Sequence, residues 1–402
     1  METKRLYHKD SYQTKFQAII VDKYPVTEQG KLAIVLNQTC FYPNSGGQIN
    51  DRGTIEGIPV LAVEEEGDKI AHYLEQEIKN GIGDSVNGEI DWYYRLDHMQ
   101  QHTGQHILSG VLMELWQRET QSFHMGEDIC TLDILTLPLD EERMKEVEWR
   151  ANQIVYENRA VQHYFSQNKI KLRTDRFKEK QEKLEQLRII DIENFDKSAC
   201  GGTHCERTGE VGIIKILGWE NRKDKIRISF LCGCRALGDY QTKHLILKTL
   251  SHFFTTGIGN LEEKIRQLSL EQKELIKSYN KMEKRINEWE SAELQAKSRR
   301  EIKGISLIEK IFSEQKIQNL NQIAMLLAKE EKTVIILASE GPEPAICLAH
   351  SADLNCNLKE IMDKLLSEFN GKGGGSNNLV LGKLERREDI KEVCQRAVEL
   401  IT

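Results

Sequence analysis

Short apolar runs, Ala18 to Val21 and Leu32 to Leu36, are punctuated by Gly30, Gly46, Gly47, Gly53 and Gly57. Such punctuation predicts a small β domain over residues 1–90, barrel-like in its run of short strands. From Arg95 to about Gln117 the period changes: Ile107, Leu108, Val111, Leu112 and Leu115 fall on one helical stripe. Mixed strands and helices follow to about Leu237. Beyond it Leu261, Ile265, Leu268, Leu275, Tyr279, Met282, Ile286 and Trp289 keep an alternating four-and-three spacing that only Gln272 and Glu293 break. No glycine or proline interrupts that stretch, so it predicts a long helix able to pack as a coiled coil or to fold back as a hairpin within one chain. In the tail, Thr333 to Ala338 and Ala345 to Ala349 read as strands, and Leu358 to Phe369 and Glu388 to Ile401 as helices. The expected fold class is α+β in four segments: 1–90 β, 91–237 α/β, 238–303 helical and 304–402 α/β.

Composition narrows the class without naming a chemistry. With 402 residues, 30% charged and 39% apolar, the chain can bury two or three separate cores. No run reaches the length of a membrane helix and the start, METKRLYHKDS, lacks the apolar core of a signal peptide, so the cytoplasm is the expected compartment. Nine cysteines in such a chain then read as reduced thiols or metal ligands, with Cys40, Cys130, Cys347, Cys356 and Cys394 simply packing. The net charge of −7 argues against a wholesale basic nucleic-acid binder. Two local stretches, Lys169 to Arg188 and Lys215 to Arg235, are richer in basic residues and read equally well as solvated surface or as an RNA track.

The candidate chemistry lies in two short segments. In HTGQHILSG, His102 and His106 stand four apart in a helical pattern, which places both imidazoles on one face. Alone, that spacing more often marks a surface pair. Far downstream, SACGGTHCERTGEVG supplies Cys200 and His204, separated by Gly201, Gly202 and Thr203. The two pairs together make a Cys-His₃ set suited to tetrahedral zinc, one ion per chain. Position 103 is Thr103 and not glutamate, so the metalloprotease signature and its general base are absent. His98, Cys205, Cys232 and Cys234 rank lower as ligands.

Three blocks in order, TCFYPNSGGQINDRG (Thr39 to Gly53), HTGQHILS, and CGGTH followed by RTGEVG, resemble the alanyl-tRNA editing proteins called AlaX and the editing region of alanyl-tRNA synthetase. A fourth, GKGGGSNN (Gly371 to Asn378), is similar to the glycine-rich motif of the DHH-associated domain that ends those synthetases. The resemblance covers nearly the whole chain, firmly to about residue 237, and matches the long form of the freestanding editors, with no segment to place as the ATP-dependent charging core. It departs from the synthetase pattern at Gly104 and Gln105 within the histidine block, at Ile49, and in LVLG after GKGGGSNN.

The resemblance implies a trans-editing hydrolase that removes serine, and glycine as a second candidate, from the terminal ribose of mischarged alanine tRNA. A pocket built for alanine rejects an added hydroxyl poorly, which is why such a second site is needed. By family position Thr39 is the candidate contact to the seryl hydroxyl, with Gln48 or Gln105 orienting substrate or water. Ser122 and His124 are further candidates to line the pocket. Residues 91–237 become the zinc editing domain and 304–402 the DHH-associated-like domain, where Lys372, Gly373, Gly374 and Gly375 would meet a tRNA phosphate. A homodimer through the helical segment is expected. The alternatives are a zinc-stabilised tRNA-binding protein without hydrolysis, or an editor of another tRNA such as a threonyl system.

Overall fold

The structure, a computed structural model, describes residues 2–25, 32–135, 138–166, 187–302 and 304–401. Most of the first basic stretch, from Lys169 to Lys183, lies outside them. The chain divides into two compact units, Met1–Leu250 and Ser251–Thr402.

The first unit begins with β1 (Lys4–Arg5), β2 (Lys15–Pro25), β3 (Leu32–Leu36), β4 (Gln38–Thr39), β5 (Gly53–Ile55), β6 (Ile58–Glu66), β7 (Lys69–Leu74) and β8 (Ser85–Ile90). Six of these close into a ring in the order β2-β3-β7-β6-β5-β8, while β1 pairs with β4 in parallel. Alternation drives the ring: along β2, Phe16, Ala18 and Ile20 point inward and Lys15, Gln17 and Ile19 outward. Ile20, Ile34, Leu36, Ile55, Ile70 and Leu74 fill it.

After the ring come α1 (Trp92–Trp116), β9 (Thr120–Met125), β10 (Cys130–Leu135), α2 (Glu141–Tyr156), β11 (Val161–Ser166), β12 (Leu187–Ile192), β13 (Asp196–Ala199), β14 (Ile214–Arg222), β15 (Lys225–Cys232) and α3 (Gly233–Phe253). The strands form two antiparallel sheets, β14-β15-β10-β9 and β11-β12-β13. Helix α1 starts where the Asp91 carboxylate accepts the amides of Tyr93 and Tyr94. It ends at Gln117, whose left-handed φ of 52° lets its own N–H reach the carbonyls of Leu112 and Met113.

The sequence pattern predicts one apolar stripe on α1, but the structure buries every residue from His98 to Leu112. The polar majority of those positions therefore needs protein partners in place of water. Gln100 donates to the Glu210 carbonyl at 2.9 Å. Gln101 donates to the Cys232 carbonyl at 2.9 Å and accepts the Cys232 amide at 2.8 Å. Thr103 accepts the Cys205 amide at 3.0 Å. Close approach on two further sides depends on lacking a side chain: a Cβ on Gly104 would sit 2.2 Å from Cys232 Sγ, and one on Gly110 2.6 Å from the Phe195 ring.

A buried ion pair joins α1 to the glycine-containing segment. Arg95 Nε donates to Asp51 at 2.9 Å, its Nη1 to the Ser11 carbonyl at 2.7 Å and its Nη2 to the Cys40 carbonyl at 2.6 Å. Asp51 in turn accepts the Tyr42 amide at 2.6 Å, and both charged side chains are fully buried.

The second unit contains α4 (Leu261–Lys297), β16 (Arg299–Ile302), β17 (Ile305–Phe312), α5 (Ile317–Leu327), β18 (Thr333–Ser339), β19 (Ala345–His350), α6 (Leu358–Glu368), β20 (Lys372–Gly375), β21 (Leu379–Lys383) and α7 (Ile390–Ile401). Its strand order is β16-β17-β18-β19-β21-β20, with β17 and β18 parallel. Every residue of β18 and β19 is buried, because α5 covers one face and α6 and α7 the other. Helix α4 runs unbroken through the predicted stripe, yet Leu275, Met282 and Trp289 stay 71%, 64% and 66% exposed. The buried residues of its C-terminal half are Asn287, Ser291 and Leu294. Among the described residues no helix is long and apolar enough to cross a membrane.

Replacing Arg95 with methionine would leave the Asp51 carboxylate buried without its counter-charge. The expected loss is about 3–5 kcal/mol of folding stability, read by chemical denaturation. Adding Asp51→Asn in the same chain should recover part of that loss, because the stranded charge is then gone.

Candidate metal centre

The two sequence-distant pairs meet. One ligand atom from each of His102, His106, Cys200 and His204 lies within 4.8 Å of the others, with the three histidines buried and Cys200 partly so. Cys200 Sγ is 3.3 Å from His102 Nε2. Bonds of about 2.0–2.3 Å to a tetrahedral zinc would hold such atoms roughly 3.3–3.8 Å apart, so only a small contraction separates the cluster from a filled shell. Helix α1 supplies two rings one turn apart, stacked at 5.3 Å between centroids. The turn after β13 supplies the other two ligands. Its Gly202 passes so near α1 that a Cβ there would lie 2.2 Å from His102 Cε1.

The hydrogen-bond network fixes how His102 is presented. The Thr203 amide donates to Gln48 Oε1 at 3.1 Å, and Gln48 Nε2 donates to the Thr203 hydroxyl at 2.9 Å, which sets the orientation of the Gln48 amide. Gln48 Oε1 also lies 2.8 Å from His102 Nδ1, and an amide oxygen only accepts. The proton is therefore on Nδ1, and Nε2 faces the cluster with its lone pair free for a metal. Burial, then the charge of Arg188, pushes the His102 pKa down to about 3. Burial, then the charges of His102, His106 and Arg188, hold His204 well below its usual value. Both imidazoles are accordingly neutral at pH 7, the form that ligates.

His204 gives the clearest sign of an absent group. Both of its ring nitrogens are buried and have no hydrogen-bond partner among the described residues. Each such orphan costs on the order of 1–3 kcal/mol, and a metal ligated by one nitrogen removes one of them. The donor set, three imidazoles and a thiol, fits zinc. The Asp196 carboxylate stands 4.0 Å from His106 Nδ1 and accepts from Ser198 at 2.7 Å.

The family profiles that match are the threonyl and alanyl tRNA synthetase second additional domain, over residues 187–229, and class II (A) tRNA synthetases, over residues 1–94. The alanyl-tRNA editing protein AlaX-L of Pyrococcus horikoshii is 30% identical, the match covering 97% of each chain. This chain belongs to the alanyl-tRNA editing family. The alanine–tRNA ligase of Pyrococcus abyssi is 32% identical across the whole of this chain, which spans 44% of that enzyme's length. Among solved structures, the C-Ala domain of Aquifex aeolicus alanyl-tRNA synthetase is 22% identical with a TM-score of 0.24, covering 26% of this chain and 96% of that one, too low to bear on the fold.

The blocks that carry the editing-family resemblance converge here. Gln48 from the first, His102 from the second and Thr203 from the third form one hydrogen-bonded set. Gln105, one position from His106 and so a hundred degrees around the helix, instead donates to Ser109 at 2.7 Å. Thr39 is fully buried. His72 Nδ1 faces the Ile34 carbonyl at 3.3 Å and must donate, and burial holds this ring neutral with a pKa of about 4. The Thr39 hydroxyl therefore donates to His72 Nε2 at 2.8 Å, accepts the Phe41 amide at 3.0 Å and keeps one lone pair.

Ser122 and His124 do not line the cluster. Strand alternation turns both outward, and the residue between them, Phe123, lays its ring 5.5 Å from that of His102. Phe123, Thr203 and Arg188 are the neighbours that sequence reasoning passed over; of these only Thr203, lying inside the cysteine–histidine block, carried a local signal. In the second basic stretch, Lys215, Arg222, Arg227 and Arg235 are committed to Glu148, Glu220, Asp133 and Asp97, the pattern of a paired surface. GKGGG is an edge strand and not a loop. Lys372 to Gly375 are exposed and pair with β21, and a Cβ on Gly373 would lie 2.1 Å from the Leu381 carbonyl oxygen.

Purified protein is expected to carry one zinc per chain by elemental analysis. Substituting His106 and Cys200 together with alanine should empty the site and lower the melting temperature, since metal binding and local folding are linked.

Proposed function

We propose that this chain hydrolyses the ester between a wrong amino acid, serine first and glycine second, and the terminal ribose of alanine tRNA, using one zinc ion held by His102, His106, Cys200 and His204. The observation that carries the reading is the buried Cys-His₃ cluster, with imidazoles kept neutral, in a chain of the alanyl-tRNA editing family. Zinc, when bound, supplies Lewis-acid charge for an ester carbonyl and for water. The protein's own part begins with Gln48, which holds the tautomer of His102 and anchors the ligand turn through Thr203. Its oxygen is already used twice, so it acts through His102 more than on the water itself. Thr39, with one lone pair left, accepts from a seryl hydroxyl and has nothing to offer alanine. Gln105 has its amide nitrogen on Ser109, which leaves its carbonyl oxygen as the group for a water.

The tRNA would be held by the second unit as well. β20 offers the Lys372 ammonium and the outward edge of Gly373, Gly374 and Gly375 to phosphate, contacts to the tRNA backbone that serve substrate and transition state alike. Two copies of the chain would associate through the open stripe of α4, whose exposed Leu275, Met282, Ile286 and Trp289 leave an apolar seam in water. This reading places the protein in the cytoplasm with charged tRNA.

A deacylation assay on alanine tRNA carrying serine, glycine or alanine tests the reaction. Seryl and glycyl esters should be cleaved faster than alanyl ester and the chelator-treated protein should be slow on all three; equal rates on the three esters would remove the editing role. For the assembly, charged substitutions at Leu268 and Leu275 should halve the mass seen by light scattering. A monomeric mass in the unaltered protein would discard the seam.

A further inference from the structure

The turn that carries Cys200 and His204 is held from three sides, and only two belong to groups already discussed. Gln48 grips the Thr203 amide and hydroxyl, and the His102 ring abuts Gly202. The third grip comes from Arg188 on β12, which is 6% exposed. Its Nη1 donates to the Cys200 carbonyl at 3.0 Å and to the Gly202 carbonyl at 2.8 Å. In return the Cys200 amide donates to the Arg188 carbonyl at 3.1 Å. One residue thus fixes both carbonyls that bracket Gly201 and also the amide at the head of the turn.

We propose that Arg188 is the positioning residue of the metal site, setting the direction of the Cys200 thiolate by clamping the Cys200 and Gly202 carbonyls away from the cluster. The geometry explains why a large cation is kept where water does not reach. Arg188 Nε is buried and has no hydrogen-bond partner among the described residues. A side chain present only to fill space would not strand a charged donor at a cost of on the order of 1–3 kcal/mol or more. The two carbonyls need a donor, and glycines at positions 201 and 202 give the turn no side chain of its own to restrict it. The two carbonyls belong to the peptide planes that flank the Gly201–Gly202 pair; without the clamp the plane after Cys200 loses its side-chain anchor, the plane after Gly202 keeps only the Thr203–Gln48 bond, and Cys200 Sγ shifts with the backbone.

The inference rests on the metal reading above and is tested apart from activity, with cobalt(II) as the probe. Cobalt titration of the unaltered protein and of Arg188→Met and Arg188→Lys would record the thiolate charge-transfer and ligand-field bands, the affinity against a chelator, and the fold by circular dichroism. Arg188→Met should fold, bind cobalt about 10–100-fold more weakly, as loss of a residue orienting a ligand does, and show shifted bands. Arg188→Lys keeps the charge but has no planar fork, and should recover part of the affinity. A folded Arg188→Met protein with unaltered bands and affinity would overturn the role. If that variant does not fold, Arg188→Lys decides alone: weaker binding with shifted bands supports the clamp, unchanged binding overturns it. Failure of both to fold would make Arg188 a residue of the fold and end the proposal. An unaltered protein that takes up no cobalt would remove the metal reading itself, and this role with it.

Discussion

The first unit depends on a single constraint: α1 is buried on every side from His98 to Leu112, and half of that stretch is polar. A helix of apolar residues in that place would need only shape from its surroundings. This one needs a donor or acceptor in each direction, and the chain answers from widely separated points. Glu210 meets Gln100, Cys232 meets Gln101, Cys205 meets Thr103 and Gln48 meets His102. Each unmade bond of this kind costs on the order of 1–3 kcal/mol, comparable with a sizeable part of a domain's net stability. The arrangement of β15, the turn after β13 and the glycine-containing segment around α1 is therefore specified by hydrogen bonding as much as by apolar burial.

That account separates what was legible in the sequence from what was not. The ligand set was legible, because four apart on a helix is a local geometry and Cys200 and His204 sit within five residues of each other. The long helix and the alternating tail were legible from period alone. All-round burial of α1 was not, since a stripe of Ile107, Leu108, Val111, Leu112 and Leu115 reports one apolar face and says nothing of partners for the polar ones. Ser122 and His124 illustrate a related limit: their polar side chains make them candidates to line the pocket, while the strand period turns Phe123 between them toward His102. Arg95 and Asp51 form a pair forty-four positions apart, which no window on the sequence can join. GKGGG reads as a phosphate loop by composition; the carbonyl of Leu381 beside Gly373 shows that closeness of two backbones is itself a reason for glycine there.

In the second unit the same physics gives the opposite surface. Strands β18 and β19 are buried on both faces and are largely apolar, so the helices above and below them are placed mainly by apolar packing. Helix α4 turns Leu294 and the small or polar Asn287 and Ser291 inward, and leaves its larger side chains out. Within the single chain its stripe is anchored at Leu261 and at Tyr279, whose ring lies under Lys316, while Leu275, Met282 and Trp289 stay exposed.

The metal site shows how magnitudes order these demands. Holding the neutral imidazoles of His102 and His204 with convergent lone pairs is unfavourable without a cation, since the nitrogens of His204 meet no donor among the described residues. Burial adds to the cost of protonating them, as the pKa of about 3 at His102 records. Protonation would relieve the lone pairs but place positive charges within 5 Å of one another in a dry interior, and Arg188 nearby opposes it further. The alternatives open to the empty site are thus both poor, by a few kcal/mol for unpartnered nitrogens and by more for buried like charges. Structural zinc binding contributes about 10–16 kcal/mol in small domains, several times the cost of an unpartnered buried nitrogen. The parts of the cluster are held from outside it: α1 carries His102 and His106, Gln48 meets His102 and Thr203, and Arg188 donates to the Cys200 and Gly202 carbonyls.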